Sequence, residues 1–551
     1  MWLINVETRK LEEFFGIDRI PKYAALSHTW EDGQEVTFQE FRSSPTRGLK
    51  RGYRKIDLAC RQAAEDRFKY VWVDTCCIDK SSSAELTEAI NSMFNWYERS
   101  KQCYVYLCDL SITTDKVENI EGCKWFKRAW TLQELISPIE IKFYNRNWDL
   151  CFSKSSALTQ LSTITDVDAR ALNHSKPLNT FSVAQKMSWA SSREATRIED
   201  IAYCLLGIFN INMPLLYGEE EKAFLRLQEE IIKTCPDPSI FAWKLPSAEV
   251  TTDNASDLLH GVLAPSPEYF SECGGMDRLP QQQLPQFSMT NHGIKLRAQF
   301  APIHFSKPRG SAYVLPVCFI GTQLHSIRTR NSGWGYFVRQ DPTNLAPTPS
   351  KNSSTRHMLE PYLLTQLHTS SGLQSVNDIR SRRPRCLQFD LRRGMRIYRV
   401  WPWLQWDEVD NVFFSADVDE TGWSALKIVT YPKKGEGNFS QQSLDFLFYA
   451  FNWSESPGSK PECMVRKVSG GLADRSLEDM NDRAVTEGWG PYTVYNRLEM
   501  AQIPKHSVIL GDTVDGSSPL LTFRLDWVQD HHVSACPLWK VTFDLNFGRS
   551  D

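Results

Sequence analysis

The chain has 551 residues, 41% of them hydrophobic, and a formal net charge of −3. That length exceeds one ordinary core and predicts two to four domains. The near-neutral charge excludes a general drive toward nucleic acid or anionic membranes, and no apolar run approaches the roughly 18 residues of a bilayer span.

The first residues, Met1–Thr8, carry no basic region followed by a long apolar stretch, so they read as a first strand rather than a secretory signal. Tyr23–Ser27 is a short apolar strand ending in polar residues. Residues 53–66 place Ile56, Ala59, Cys60 and Ala63 at helical spacing. Tyr70–Asp74 is apolar without alternation, as a buried parallel strand is. Ser82 with Glu85 has the capping-box pattern, opening a helix that sets Leu86, Ile90, Met93, Phe94 and Tyr97 on one face. Cys103–Leu107 is another buried strand, 125–136 a helix, and Ile139–Tyr144 a further strand. This alternation over residues 1–150 predicts an α/β domain with a parallel sheet and flanking helices.

Residues 151–260 read as a helical extension. Its helices begin near Ser182, cover Arg197–Ile208, and run from Glu219 to Lys233 beyond a turn at Pro214–Gly218. Residues 261–551 change texture, with β-rich runs at Gly293–Arg297, Ala312–Ile320, Gly335–Arg339, Met395–Arg399, Ala425–Val429 and Phe446–Ala450. They predict a C-terminal all-β domain, a sandwich or barrel. The 342–356 segment reads as a long loop.

Ligands of an open parallel sheet bind beyond the carboxyl ends of its strands. Three polar sets fall there: Ser27-His28-Thr29-Trp30, Asp74 to Asp79, and the helix bearing Trp130 and Glu134, four apart and so on one face. The bland reading makes His28 and Asp74 loop caps and Glu134 a solvated helix residue. A Cys77 nucleophile with His28 as base is a further alternative. Adjacent Cys76 and Cys77 with no C-x2-C pair argue against a metal site. No G-x-S-x-G, Walker or G-x-G-x-x-G motif occurs. The 14 cysteines are scattered through apolar segments, so buried thiols in a reducing, cytoplasmic setting are expected rather than a disulfide framework. The arginine run from Arg380 to Arg396 is read as a solvated strand face rather than a phosphate patch.

Four segments in this order resemble the fungal heterokaryon incompatibility (HET) domain: Pro21–Trp30, Tyr70–Lys80, Ser83–Tyr97 and Trp125–Leu135. The block from Arg197 through Met213-Pro-Leu-Leu-Tyr-Gly-Glu219 to Ile231 is similar to the helical segment that follows many such domains. Glu220 stands where that turn usually has glycine. The resemblance covers about residues 1–270 and implies a self/non-self recognition protein that triggers cell death, with itself or another incompatibility protein as partner. The HET domain in turn resembles TIR domains, whose flavodoxin-like sheet carries a Glu that cleaves NAD. That likeness implies Glu134 as the catalytic residue. It implies Ser27, His28, Trp30, Asp74 and Trp130 as substrate contacts, no metal, and no cofactor beyond NAD as substrate. The rival implication is a non-catalytic assembly module.

Overall fold

A computed structural model describes residues 1–111, 120–246, 258–304 and 311–348 (residue 334 apart), and beyond 348 only separate segments. The arginine run falls largely outside the described residues, as does the end of the expected 342–356 loop.

The first sheet has seven strands: β1 (Trp2–Asn5), β2 (Leu11–Glu13), β3 (Ala24–His28), β4 (Tyr70–Val73), β5 (Gln102–Tyr106), β6 (Ile141–Tyr144) and β7 (Leu150–Ser153), ordered β2-β1-β4-β3-β5-β6-β7. The central pairs β3–β4, β3–β5 and β5–β6 are parallel. The parallel expectation therefore holds in the middle and fails at the rims, where β1 joins β2 and β4 antiparallel and β7 joins β6 antiparallel. β2 and β7 follow short connections from β1 and β6, too short for the crossover that parallel pairing requires.

Counting parallel strands alone, the order is 2-1-3-4, with its switch point between β3 and β5. Helices α1 (Phe38–Ser43), α2 (Arg51–Glu65) and α3 (Ser83–Arg99) fill the connections. The step from β3 to β4 and the step from β4 to β5 run in opposite directions. Right-handed crossovers then set α2 and α3 on opposite faces. α2 buries Ile56, Ala59, Cys60 and Ala63 as its spacing predicts, and α3 buries Ile90, Met93, Phe94 and Tyr97. Only half of the expected capping box forms. Ser82 accepts from the Glu85 amide, but the Glu85 carboxylate accepts from the Asp79 amide instead.

The expected 125–136 helix is two short helices, α4 (Lys124–Lys127) and α5 (Thr131–Ile136). Arg128 is extended between them because its backbone joins a bridge to Glu194: the Ala129 amide donates to Glu194 O (2.8 Å) and the Glu194 amide to Lys127 O (2.7 Å). Tertiary pairing here overrides helix propensity.

Farther on, Val183–Ser188 forms with a full Ser182–Gln185 capping box, and Lys222–Thr234 forms as an amphipathic helix. The expected 197–208 helix is again two pieces, Asp200–Tyr203 and Leu206–Phe209. Gly218 (φ 101°) and Glu220 (φ 54°) both take positive φ, and the Gly218 and Glu220 amides donate to Glu199 Oε1.

Most of the later β-rich runs are strands longer than their cores suggested, among them Gly293–His304, Met395–Trp401 and Leu444–Phe451, whereas Tyr336–Gln340 keeps the expected length, shifted by one residue. Among the described residues they belong to sheets of eleven and four strands, beside a further sheet of six. One apolar core runs without a break from Leu3 through the helical segment to Leu363. Arg339 stitches this junction: wholly buried, it donates to Phe241 O (2.7 Å) and to Trp243 O, with its guanidinium 4.0 Å above the Trp243 ring.

Candidate functional site

Two groups of polar side chains meet where β3, β4 and β5 end. The inner group is a chain of donors. Trp125 Nε1 donates to Ser27 Oγ (2.8 Å), and Ser27 Oγ donates to Glu134 Oε2 (2.5 Å). Trp125 and Ser27 are wholly buried, and Glu134 is 4% exposed. The solvated-helix reading of Glu134 is therefore wrong, because packing α5 on β3 turns its side chain toward the strand end rather than toward water. Tyr97 stands beside the pair, donating to Leu26 O (3.1 Å). Burial, and then the Asp74 carboxylate, push the Glu134 carboxyl up to about 8. Glu134 is consequently protonated at neutral pH in this conformation.

The outer group surrounds His28. Its Nε2 lies 3.7 Å from Glu35 Oε2 and 3.7 Å from Asp74 Oδ1, beyond hydrogen-bond range. Neither His28 nitrogen, nor Glu35 Oε2, Asp74 Oδ1 or Thr75 Oγ1, has a hydrogen-bond partner, although all are buried. Burial, reinforced by the positive charges of Lys55, Lys80 and Arg128, holds the His28 imidazole well below its usual value, so it is neutral. Burial likewise raises Asp74.

Lys55 Nζ holds Glu35 Oε1 at 2.5 Å and donates to Thr29 O (3.0 Å). At the surface, Trp30 is 43% exposed. Its Nε1 donates to Asp74 Oδ2 (2.9 Å), and Lys80 Nζ sits 3.5 Å over its ring. Trp130, half-buried, turns its indole to the Asp200 carboxylate rather than to the Glu134 pair. Asp200 is also near enough to Lys80 to favour its charge.

The structure thus brings Ser27 together with Glu134, Trp30 with Asp74, and His28 between Asp74 and a residue sequence reasoning missed, Glu35. Lys55 was missed as well. It occupies a buried-face position of α2 beside Ile56, and a charged residue at apolar spacing is the signal that could have found it. Cys77 is no partner of His28: its Sγ accepts from the Val73 amide at 3.3 Å. Among the described residues no His, Cys, Asp and Glu group is arranged to hold a metal ion. None of their helices is long and apolar enough to cross a membrane.

The fold and the site define a mixed α/β protein with a polar, partly unsatisfied cluster at the carboxyl ends of its central parallel strands β3 and β4. Residues 23–116 match the family model of the heterokaryon incompatibility protein (HET), so the chain carries a HET domain. That match contains Ser27, His28, Trp30 and Asp74 and ends before Glu134. Residues 222–317 match a domain of unknown function (DUF8212). Over 226 residues the chain is 46% identical to the vegetative incompatibility protein HET-E-1 of Podospora anserina, covering 39% of this chain and 16% of that relative. No solved structure matches the chain.

Proposed function

We propose that the chain is a heterokaryon (vegetative) incompatibility-type cell-death effector, acting in self/non-self recognition in the cytoplasm, and that its HET region cleaves NAD through Glu134. The observation that carries the catalytic reading is the Ser27–Glu134 hydrogen bond, which fixes one carboxyl group at the carboxyl end of β3. The 2-1-3-4 order of the parallel strands supports a remote TIR likeness. Departure of nicotinamide leaves an oxocarbenium-like ribosyl centre, which an ionised Glu134 stabilises electrostatically. Nicotinamide is already cationic in NAD, so its departure needs no general acid. Ser27 and Trp125 aim the carboxylate, and Trp30 offers its exposed ring for stacking.

A second reading is favoured by the depth of Glu134. On it the acid is structural, and the HET region signals by self-association or by contact with another incompatibility protein. One experiment separates the two. The purified chain should release nicotinamide from NAD, and Glu134→Ala should not. No release from folded protein, with or without an oligomerising fusion, together with cell killing that survives Glu134→Gln, overturns catalysis in favour of assembly.

The chain is further proposed to divide into a HET region (1–150), a helical extension (151–260) and a β-rich sensor (261–551). Supporting the sensor role is a cleft of about 730 Å³ between the Lys222–Thr234 helix and the strand Gln286–Thr290, with Arg278 and Phe287 in its wall. Because the apolar core crosses the 260 boundary, deletion is a poor test. Arg278→Ala should instead change which partner strain triggers killing while leaving nicotinamide release unchanged; an unaltered strain dependence counts against this role for the cleft.

A further inference from the structure

We infer that the cleft beside the strand Gln286–Thr290 docks an extended, acidic segment of a partner protein, which adds to the free edge of that strand. The inference deepens the sensor reading of this cleft and rests on it for the partner's biological meaning, but not for the docking itself.

The strand pairs antiparallel with Gly293–His304, from Gln286 opposite Arg297 to Thr290 opposite Gly293, and with no other strand among the described residues. Its second edge therefore carries backbone N–H and C=O groups outside any ladder. Proteins guard such edges with charged side chains, proline or a bulge. Gln286-Phe-Ser-Met-Thr290 contains neither a charge nor a proline, and its five pairs run in unbroken register. An unguarded edge is a template for one more strand.

There is room for that strand. A cleft of about 730 Å³ opens at the start of the edge, with Gln286 and Phe287 in one wall and Ile232 to Pro236, at the end of the Lys222–Thr234 helix, in the other. Phe287 is anchored edge-on against the Phe241 ring, 5.6 Å away. Side chains of a strand alternate between its faces, and here Gln286 and Ser288 are exposed while Phe287 and Met289 are half-buried. A strand added alongside would lay every second side chain against the apolar wall of Ile232, Leu284 and Phe287.

Charge selects the guest. The cleft lining includes Lys233 and Arg278 and no carboxylate. Lys233 is paired with Glu230 at the surface, an exposed contact that is exchanged at little cost. Arg278 is less well satisfied. Asp237 lies 3.8 Å from its Nε, beyond hydrogen-bond range, and the Asp237 oxygens already accept from the amides of Val183 (2.9 Å) and Ser239 (3.0 Å). Arg278 Nη2 reaches Cys235 Sγ at 3.8 Å, a weak acceptor. The Arg278 side chain remains 29% exposed, so a partner's carboxylate can engage the guanidinium fork. A basic segment would meet two like charges. The helix end disfavours an anion, which sets the acid on the Arg278 wall and the partner's backbone N–H groups beside the last helical carbonyls.

The test uses the full chain, immobilised, and a random library of octapeptides acetylated and amidated at their ends, so that side chains supply every charge. The retained pool should be enriched about fivefold in Asp and Glu. Its consensus peptide, resynthesised with alternate N-methyl groups, should bind about tenfold more weakly. Arg278→Ala, with its melting curve unchanged, should weaken the unmodified peptide about tenfold. No retained pool, a pool without acid enrichment, or N-methylation without effect overturns the inference, whether or not the variant folds. So does full affinity in folded Arg278→Ala. Sedimentation of the chain alone tests the rival occupant: a dimer that Arg278→Ala dissolves gives the edge to a second copy and overturns the partner. Strain-dependent killing is measured separately. A chain that selects acidic strands, with strain dependence unaltered by Arg278→Ala, keeps the docking edge and loses the sensor role.

Discussion

Replacing Glu134 by glutamine tests the buried acid more sharply than any truncation. The glutamine keeps the shape and can still accept from Ser27, but it cannot ionise. In the folded chain Glu134 holds its proton up to about pH 8, raised from an ordinary 4.5 by burial first and by Asp74 second. The groups that bear on it are Asp74, Arg128, Ser27 and Tyr97, with Cys103 and Arg193 also within electrostatic reach. Between pH 4.5 and pH 8 the unfolded chain binds fewer protons at this position than the folded one. Stability therefore falls as pH rises across that window and levels off above it. At about 1.4 kcal/mol per pH unit, the whole window costs about 5 kcal/mol, and the part from pH 5.5 to 8 about 3 kcal/mol. Glu134→Gln should escape that loss. Thermal unfolding of the full chain, followed by tryptophan fluorescence at pH 5.5 and pH 8, reads the difference. The gap between variant and wild type should widen in favour of glutamine by about 6–12 °C in the transition that unfolds the α/β region. Parallel melting temperatures at the two pH values would refute the burial of an acid at this strand end.

Other changes probe neighbouring features. Lys154 is buried and donates to Ile136 O and Pro138 O at the end of α5. Burial lowers it from 10.5 to about 7, so its folded form sheds the proton first and stability rises with pH between about 7 and 10.5. Lys154→Met should remove that rise, seen as a wild-type melting temperature that gains on the variant's between pH 7 and 9. Ser27→Ala leaves both Trp125 Nε1 and Glu134 without their partner and should cost about 1–3 kcal/mol in denaturant unfolding. Glu220→Gly relieves a left-handed backbone that costs a side chain roughly 1–2 kcal/mol, offset in part by a looser unfolded chain, so a net gain of about 0.5–1 kcal/mol is expected. If Glu134 acts as a carboxylate, nicotinamide release should climb as pH rises toward 8; a pH-independent rate would argue against that role.

Much of the frame was legible because burial writes itself into periodicity. The apolar runs of β3, β4 and β5 and the spaced faces of α2 and α3 needed no tertiary information. What sequence could not convey came from pairing at a distance. The break at Arg128 depends on Glu194, more than sixty residues away, and the turn of Trp130 toward Asp200 depends on the helical segment. Glu134 was legible as a position but not as an environment. Its spacing from Trp130 suggested one shared face, whereas the short α5 buries the acid and leaves the tryptophan at the helix start. Glu35 was invisible because it sits in a loop, where no period distinguishes a buried carboxylate from a solvated one.

The bridge between Arg128 and Glu194 bears on how such a protein can be shuffled. Buried Arg193, next to that bridge, donates to Arg128 O (2.9 Å) and Thr131 Oγ1 (3.0 Å), at the doorstep of α5. A genetic exchange with its breakpoint near residue 150 would hand the acid-bearing helix to a foreign partner. That helix would arrive without the arginine that braces its first turn and without the acceptor for Trp130. Viable exchanges should therefore keep the α/β region and the helical segment through Arg193 and Asp200 on one inherited piece.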